Sequence, residues 1–399
     1  MNNNYENDVH SSLKYCRMFL KLIGIWHLIN GFNNRLEKLV SLLIMFVCLI
    51  SLIFVVLPGA YYCFFHVKEI TVKIQIFGPI CYGTSCTLKY CFLSLRASAF
   101  KHCIKQIEED WKVIQTREHR AIMIDNVIIA HKSTIVFSVQ LYIFGMSYCT
   151  ILPFCSDPFQ LADNFTIKPL IYPGLDLFMD VYASPTYEFV YIMHCLYAFF
   201  SVSIETAFCG VVASFVAHAC GMLQIQMARL DYLVVERKSK RVDGESLLAV
   251  IVNGHMGALQ YIKNVSKALQ EIYFFDIVAT TIVICVLEYL CTVAWKNRDV
   301  VAIGTYVGTW LSLTFNLLVI CYAGELLAEE GEKFGDATYD IQWYNLPKKT
   351  GEDLILLIAV SKLPPKLTGG KIFEISMNTF STVLKSSVVY LNLCQAVTQ

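Results

Sequence analysis

Five ionisable residues stand inside stretches that are otherwise too apolar to hold them: Lys89, Glu205, Asp276, Glu288 and Lys385. A charge in hydrocarbon costs on the order of 3 kcal/mol or more, so such residues face a bundle interior or water. Glu205 and Glu288 admit two readings, contact with a bound molecule or pairing with a neighbouring helix. Catalysis is not indicated. There is no HExxH, GxSxG or phosphate-binding loop, and no His and acidic pair at a useful spacing. His194 reads as a packed or hydrogen-bonded histidine, and no catalytic residue, metal site or cofactor is implied. The 16 cysteines form no CxxC pair and lie mostly within apolar runs. They read as small embedded hydrophobes and not as a disulfide framework.

The elements that position these residues are membrane spans. The chain is 56% hydrophobic and 16% charged, with a mean hydropathy of +0.53. Soluble domains carry about 25% charged residues, so the bilayer is the expected solvent. Net charge is zero, which implies no nucleic-acid partner. The N-terminal MNNNYENDVHSSLKYC has no basic region followed by a short apolar core and cleavage site, so an internal span is expected to target the chain. Seven spans are read: 39–67, 74–95, 133–156, 189–220, 274–295, 300–324 and 375–399. The N-terminal segment and the second, fourth and sixth connections carry 25 Lys and Arg residues; the other connections carry 5. The basic side is expected to be cytoplasmic, with the N-terminus inside and the C-terminus outside. Asn164 lies in an N-F-T glycosylation sequon on the outer side. The sequon at Asn264 falls inside and is expected to stay unused.

Apolar periodicity continues beyond the inner face. Met222, Leu223, Ile225, Met227, Leu230 and Leu233 follow span four. Leu248, Ile251, Leu259, Ile262, Leu269 and Ile272 precede span five, with Lys263, Lys267 and Glu271 between them. This pattern predicts amphipathic helices projecting from the membrane, joined by a turn at Val242–Glu245. Leu354–Val360 adds a short apolar helix, ended by Pro364-Pro365, and Gly369-Gly370 allows a bend. The fold class expected is an all-α membrane protein with seven transmembrane helices and a cytoplasmic helical anchor bundle. Its parts are a cytoplasmic N-terminal segment (1–38), spans one to six with their connections (39–325), an anchor segment (326–374) and the last span (375–399).

Two stretches carry a resemblance. One is TYDIQWYNLPKK, with Tyr339, Trp343, Tyr344, Leu346, Pro347 and Lys348. The other is LTGGKIFEISMNTFSTVLKSSVVYL, with Leu367, Thr368, Gly370, Lys371, Phe373, Phe380, Val383, Leu384, Lys385 and Tyr390. Together they resemble the C-terminal signature of the insect odorant receptors over about 60 residues. Glu374 departs from it, standing where the family more often has proline. The last-span element of the related gustatory receptors is absent. Chain length resembles the ligand-tuning subunits and not the co-receptor, whose fourth connection is longer.

The resemblance implies an odorant-gated, non-selective cation channel in the plasma membrane of olfactory sensory neurons, assembled as a heterotetramer with an olfactory co-receptor subunit. The anchor bundle would hold subunits together, with Tyr339, Trp343, Tyr344 and Pro347 in the joint; Trp343→Ala is expected to impair assembly more than odorant selectivity. The last helix would line the pore. Ser381, Thr382, Ser386, Ser387, Asn392 and Gln395 make that span amphiphilic, which suits a pore that closes by dewetting. With Lys385 inward, Val389, Leu393 and Ala396 form its narrow outer end; the competing reading is helix packing through small residues. A small volatile odorant would sit in the outer half of the bundle, where Phe77, Gly145, Tyr148, Tyr191, His194, Tyr306 and Trp310 offer aromatic walls with few polar groups. The competing reading for each is an interfacial belt or core packing. Alternatives are another seven-helix chemoreceptor of gustatory type or a transporter, although neither related halves nor broken helices are seen. A G-protein-coupled receptor would need the opposite orientation, and its acidic-Arg-aromatic and NPxxY elements are missing.

Overall fold

The computed structural model describes residues 4–31, 34–114, 116–150, 159–160, 166–167, 170–238, 244–341 and 348–398; within these, side chains are described except at 4, 147–150, 159–160, 166–167, 234–238, 244–246, 348–350 and 393–398. Each expected span is a helix: α4 (Arg35–Phe65), α5 (Ile70–Leu95), α7 (Arg117–Thr150), α8 (Thr186–Lys238), α9 (Gly244–Asn297), α10 (Val300–Asp340) and α12 (Met377–Thr398). Among the described residues, α4, α7, α8, α9 and α10 are long and apolar enough by composition alone to cross a bilayer. The helix α5 has 26 residues and α12 has 22. At 1.5 Å per residue even α12 extends ~33 Å, the thickness of the hydrocarbon core.

The apolar pattern past spans four and five belongs to the same unbroken helices. α8 has 53 residues and α9 has 54, so each runs ~80 Å, well beyond the ~30 Å core. At their basic ends Leu230, Leu233, Leu248 and Ile251 meet Phe334 and Ile341 of α10 and its immediate end, and Leu354 and Leu357 of α11 (Lys348–Ser361). This is a second apolar cluster, separate from the main core. α4 lies at the flank, with Leu43, Phe46, Leu57 and Phe64 exposed. Water would penalise that face; lipid tails do not.

The N-terminal segment and the second connection are themselves helical. The N-terminal stretch forms α1 (Asn4–Ser12), α2 (Lys14–Leu22) and α3 (Trp26–Asn30), and the second connection forms α6 (Ala97–Val113). Leu13, Cys16, Leu20 and Ile23 recur at helical spacing, as do Phe100, Cys103, Ile107 and Trp111, and all join the main core. The Arg120 guanidinium donates to both carboxylate oxygens of Asp8 at 2.6 and 2.8 Å, tying α1 to α7. Cys16, Cys48, Cys86 and Cys220 are buried in the same core, packed as small hydrophobes.

Among the described residues, antiparallel two-residue strands pair twice. β1 (Phe159–Gln160) pairs with β2 (Thr166–Ile167), and β3 (Thr368–Gly369) with β4 (Phe373–Glu374). The bend expected at Gly369-Gly370 is this second hairpin. Gly370 and Lys371 both take positive φ, near +60°, a conformation that glycine adopts freely and that reverses the chain. The Gly370 N–H donates to the Gln270 carbonyl on α9 at 2.8 Å. Just beyond, Glu325 Oε2 of α10 accepts from the Met377 N–H at 3.0 Å, satisfying one of the open amides at the start of α12.

Candidate functional site

A cavity of about 150 Å³ lies between α5, α7, α8, α9 and α10. Each helix presents one face to it, so the lining residues recur at spacings of three and four. α5 contributes Gln75, Gly78, Pro79 and Tyr82; α8 contributes Tyr197, Ser201 and Val202; α9 contributes Val283, Val286, Leu287 and Leu290. Tyr306, Thr309 and Leu313 come from α10, Leu141, Phe144 and Gly145 from α7, and Tyr172 from the third connection. Gly145 allows α7 to approach α8: a Cβ there would lie 2.5 Å from Val202 Cγ2. The wall is mainly aromatic and aliphatic. Of its polar groups, the Gln75 amide donates to the Tyr306 hydroxyl at 3.4 Å, and Thr309 donates to the Thr305 carbonyl. Among the described residues, the hydroxyl oxygens of Ser201 and Ser312 are buried without a hydrogen-bond partner.

One turn along α5, α8 and α10 from the cavity lies a buried ionic cluster. Tyr82, Ser201 and Ser312 each precede a cluster member by four residues: Cys86, Glu205 and Asn316. Lys89 Nζ sits 2.5 Å from Glu205 Oε1 and 2.5 Å from Asp276 Oδ1. The Asn316 amide donates to Glu205 Oε2 at 3.3 Å, and the Cys86 thiol donates to Oε1 at 3.5 Å. Thr280 donates to Asp276 at 3.4 Å. Four helices, α5, α8, α9 and α10, thus converge on one ammonium and two carboxylates. Glu205 therefore has its partner on neighbouring helices.

Glu288 makes a different join. Its Oε1 accepts from the Trp310 indole N–H at 3.2 Å and from the Ser387 hydroxyl at 2.9 Å, a proton that Ser387 shares with the Leu384 carbonyl, also at 2.9 Å. Leu287 and Leu290, beside it on α9, line the cavity, and Ser387 is on α12. A single carboxylate therefore connects the cavity wall to the last helix. Its second oxygen is buried without a partner among the described residues.

Of the residues singled out from the sequence, Gly145 and Tyr306 line the cavity. Phe77 packs behind the wall against Val286 and Leu290, and Trp310 against Val283, Leu287 and Leu313. His194 is fully buried and meets the edge of Tyr172 at 5.2 Å. Tyr191 stacks on Tyr187 at 6.4 Å. Lys385 and Val389 are exposed on α12, and Tyr339 is exposed near the end of α10. Asn164, Trp343, Tyr344 and Pro347, and the side chains of Tyr148, Leu393 and Ala396, lie outside the described residues. Sequence reasoning passed over α9 as a wall. It also passed over the face Gln75–Gly78–Tyr82, whose three- and four-residue steps were the available signal.

The fold and the cavity define a multi-pass helical membrane protein with a small, largely apolar internal cavity. A family model described as 7tm Odorant receptor matches residues 69–388, and the chain belongs to that family. It is similar to Odorant receptor Or2 of Anopheles gambiae, 23% identical over 58% of this chain and 64% of that one. It is similar to Odorant receptor 85b of Drosophila melanogaster, 22% identical over 96% of this chain and 97% of that one. The match to Odorant receptor 10 of Aedes albopictus spans 58% of that relative's length. In fold it resembles the insect olfactory receptor OR5 of Machilis hrabei, solved in complex with eugenol: the TM-score is 0.81 at 14% identity, covering 99% of this chain and 100% of that one. Seven transmembrane helices are the fold of this class, and the family is one of receptors, not enzymes.

Proposed function

We propose that this chain is the odorant-tuning subunit of a ligand-gated, non-selective cation channel, assembled as a heterotetramer with an olfactory co-receptor in the plasma membrane of olfactory sensory neurons. The observation that carries the reading is the Trp310–Glu288–Ser387 hydrogen-bond bridge from the wall of a small apolar cavity to the last helix. A volatile molecule entering between α5, α8, α9 and α10 perturbs that wall, and the bridge passes the displacement to α12. The eugenol complex of the OR5 fold neighbour supports an aromatic volatile as the kind of occupant.

The last span, 375–399, is the pore helix in this reading. Lys385 and Val389 are uncovered within the single chain, as side chains facing a shared pore must be, and Leu393 and Ala396 follow at helical spacing. Segment 326–374 is the anchor, with Tyr339, Trp343, Tyr344 and Pro347 in its joint; 1–38 is cytoplasmic, and 39–325 holds spans one to six. Phe77, Tyr191, His194 and Trp310 act from behind the wall, and Gly145 and Tyr306 at its surface. Tyr148 remains a proposed wall residue.

The test is current recorded from cells co-expressing this chain and a co-receptor, with G proteins blocked. Odorant-evoked cation current that survives the block is expected; its loss under the block refutes the channel reading. Orientation is tested by a glycosidase shift that disappears in Asn164→Gln. Sugar at Asn264 instead overturns it.

A further inference from the structure

The cavity's two unsatisfied hydroxyls point to the chemistry of its ligand, an inference that rests on the receptor reading above. Ser201 and Ser312 both line the cavity and are 1% and 6% exposed, and neither Oγ has a hydrogen-bond partner among the described residues. A helical serine or threonine ordinarily returns its hydroxyl to a carbonyl one turn back. Several neighbours do so: Ser203 donates to the Phe199 carbonyl at 2.6 Å, Thr206 to Val202 at 2.9 Å and Thr309 to Thr305 at 2.9 Å. Ser201 and Ser312 do not. Ser85 and Thr314 are also unpartnered among the described residues, but they do not line the cavity.

Their placement is shared. α8 and α10 are alternate crossings and run in the same direction, and the Asn316–Glu205 hydrogen bond sets their register. Ser201 and Ser312 each stand one turn before that bond, so they lie at one level and at one end of the cavity. The rest of the wall is mainly apolar, with Leu141, Val202, Val286 and Leu287, and of its other polar groups Gln75 is already bonded to Tyr306 and Thr309 to the Thr305 carbonyl. Below the serines the Lys89 ammonium is already shared between Glu205 and Asp276, so it is not free to pair with an anionic ligand. The volume matches that of an engineered cavity that takes benzene.

We propose that the ligand class is a neutral small ring or short chain bearing one oxygen function, an alcohol, phenol or ketone, seated oxygen-first on Ser201 and Ser312. An unmet buried hydroxyl is costly, and a ligand oxygen removes that cost only if it is there to bond. A hydrocarbon of the same shape leaves both hydroxyls unmet.

The experiment uses the full chain in lipid nanodiscs and three probes of one shape: ethylbenzene, 1-phenylethanol and acetophenone. Binding is read as headspace depletion over protein-loaded against empty nanodiscs. The two oxygenated probes are expected to bind roughly tenfold or more tighter than ethylbenzene, about one such hydrogen bond per serine. Ser201→Ala and Ser312→Ala are each expected to weaken 1-phenylethanol and acetophenone by about threefold to tenfold and to leave ethylbenzene unchanged. Wild-type binding that ranks ethylbenzene equal or first overturns the proposal without needing a variant. So does an equal loss of all three probes in either variant, or no binding of any probe. Selective binding without channel current upholds the ligand class and refutes the channel reading; current evoked by hydrocarbons and oxygenated probes alike does the reverse.

Discussion

Replacing Lys89 by methionine isolates the contribution of the ionic cluster. Lys89, Glu205 and Asp276 are 1%, 2% and 2% exposed, so water cannot take over from the missing ammonium. Two carboxylates that each had a cation at 2.5 Å would then face each other alone. Removing one partner from a buried ion pair costs about 3–5 kcal/mol. The repulsion between two carboxylates ~4–5 Å apart, about 3–4 kcal/mol at an effective dielectric near 20, is of the same order. Protonation of one carboxylate caps the penalty near that figure. A loss of about 3–5 kcal/mol corresponds to a hundred- to several-thousand-fold shift in the folding equilibrium. SDS-driven unfolding of the purified chain in mixed micelles measures it, with surface biotinylation as the cellular readout. The triple variant Lys89→Met, Glu205→Gln, Asp276→Asn has no unpaired charge and is expected to recover most of the loss. A single variant within about 1 kcal/mol of wild type, or a triple variant as unstable as the single, would refute the reasoning.

Glu288→Ala removes both bonds of the bridge and is expected to raise the half-maximal odorant concentration for current about tenfold, while binding to the nanodisc-held chain changes less than about twofold; equal changes in both would show that Glu288 is a binding residue and not a bridge. Gly145→Val places a branched side chain where even a Cβ lies 2.5 Å from Val202, so headspace binding of any probe should fall by tenfold or more; unchanged binding would remove the α7–α8 approach from the site. His255, at the basic end of α9 outside the spans, is stacked at 4.1 Å on Phe334 with neither ring nitrogen partnered among the described residues, and burial pushes its pKa down from 6.5 to about 4. Because the folded state holds the neutral ring, its stability is full above pH 6.5 and falls between there and pH 4, by up to about 1.4 kcal/mol per unit. A pH series of SDS unfolding should lose that slope in His255→Gln; an identical slope in the variant would assign it to other groups.

Local chemistry made much of the fold legible. Lys38 and Lys68 bracket an uncharged run, and α4 fills it. The apolar steps Met222–Leu233 and Leu248–Ile272 sit on helices that leave the membrane unbroken. The N-terminal helices and α6 were missed although Leu13–Ile23 and Phe100–Trp111 carry the same period, because short amphipathic stretches between spans read as charged connections. The hairpin at Thr368–Glu374 was read only as a bend: two-residue strands are too short for an alternation signal, and the positive φ at Lys371 has no residue-type cue.

The site was less legible. Aromatic residues near span ends were the visible candidates, yet Phe77 and Trp310 stand behind the wall, and α9, Ser201 and Ser312 stand in it. Sequence alone determined the seven spans, their alternating direction and the family signature, because hydropathy and the 3.6-residue period act within one segment. Only the tertiary structure decided that Lys89 meets Glu205, 116 residues away, and that Ser387 meets Glu288, 99 residues away. In lipid, apolar side chains gain little by facing inward rather than outward. The rotation of each helix is therefore set by which polar groups find partners and which glycines let helices touch, and those are properties of pairs of helices that no single stretch contains.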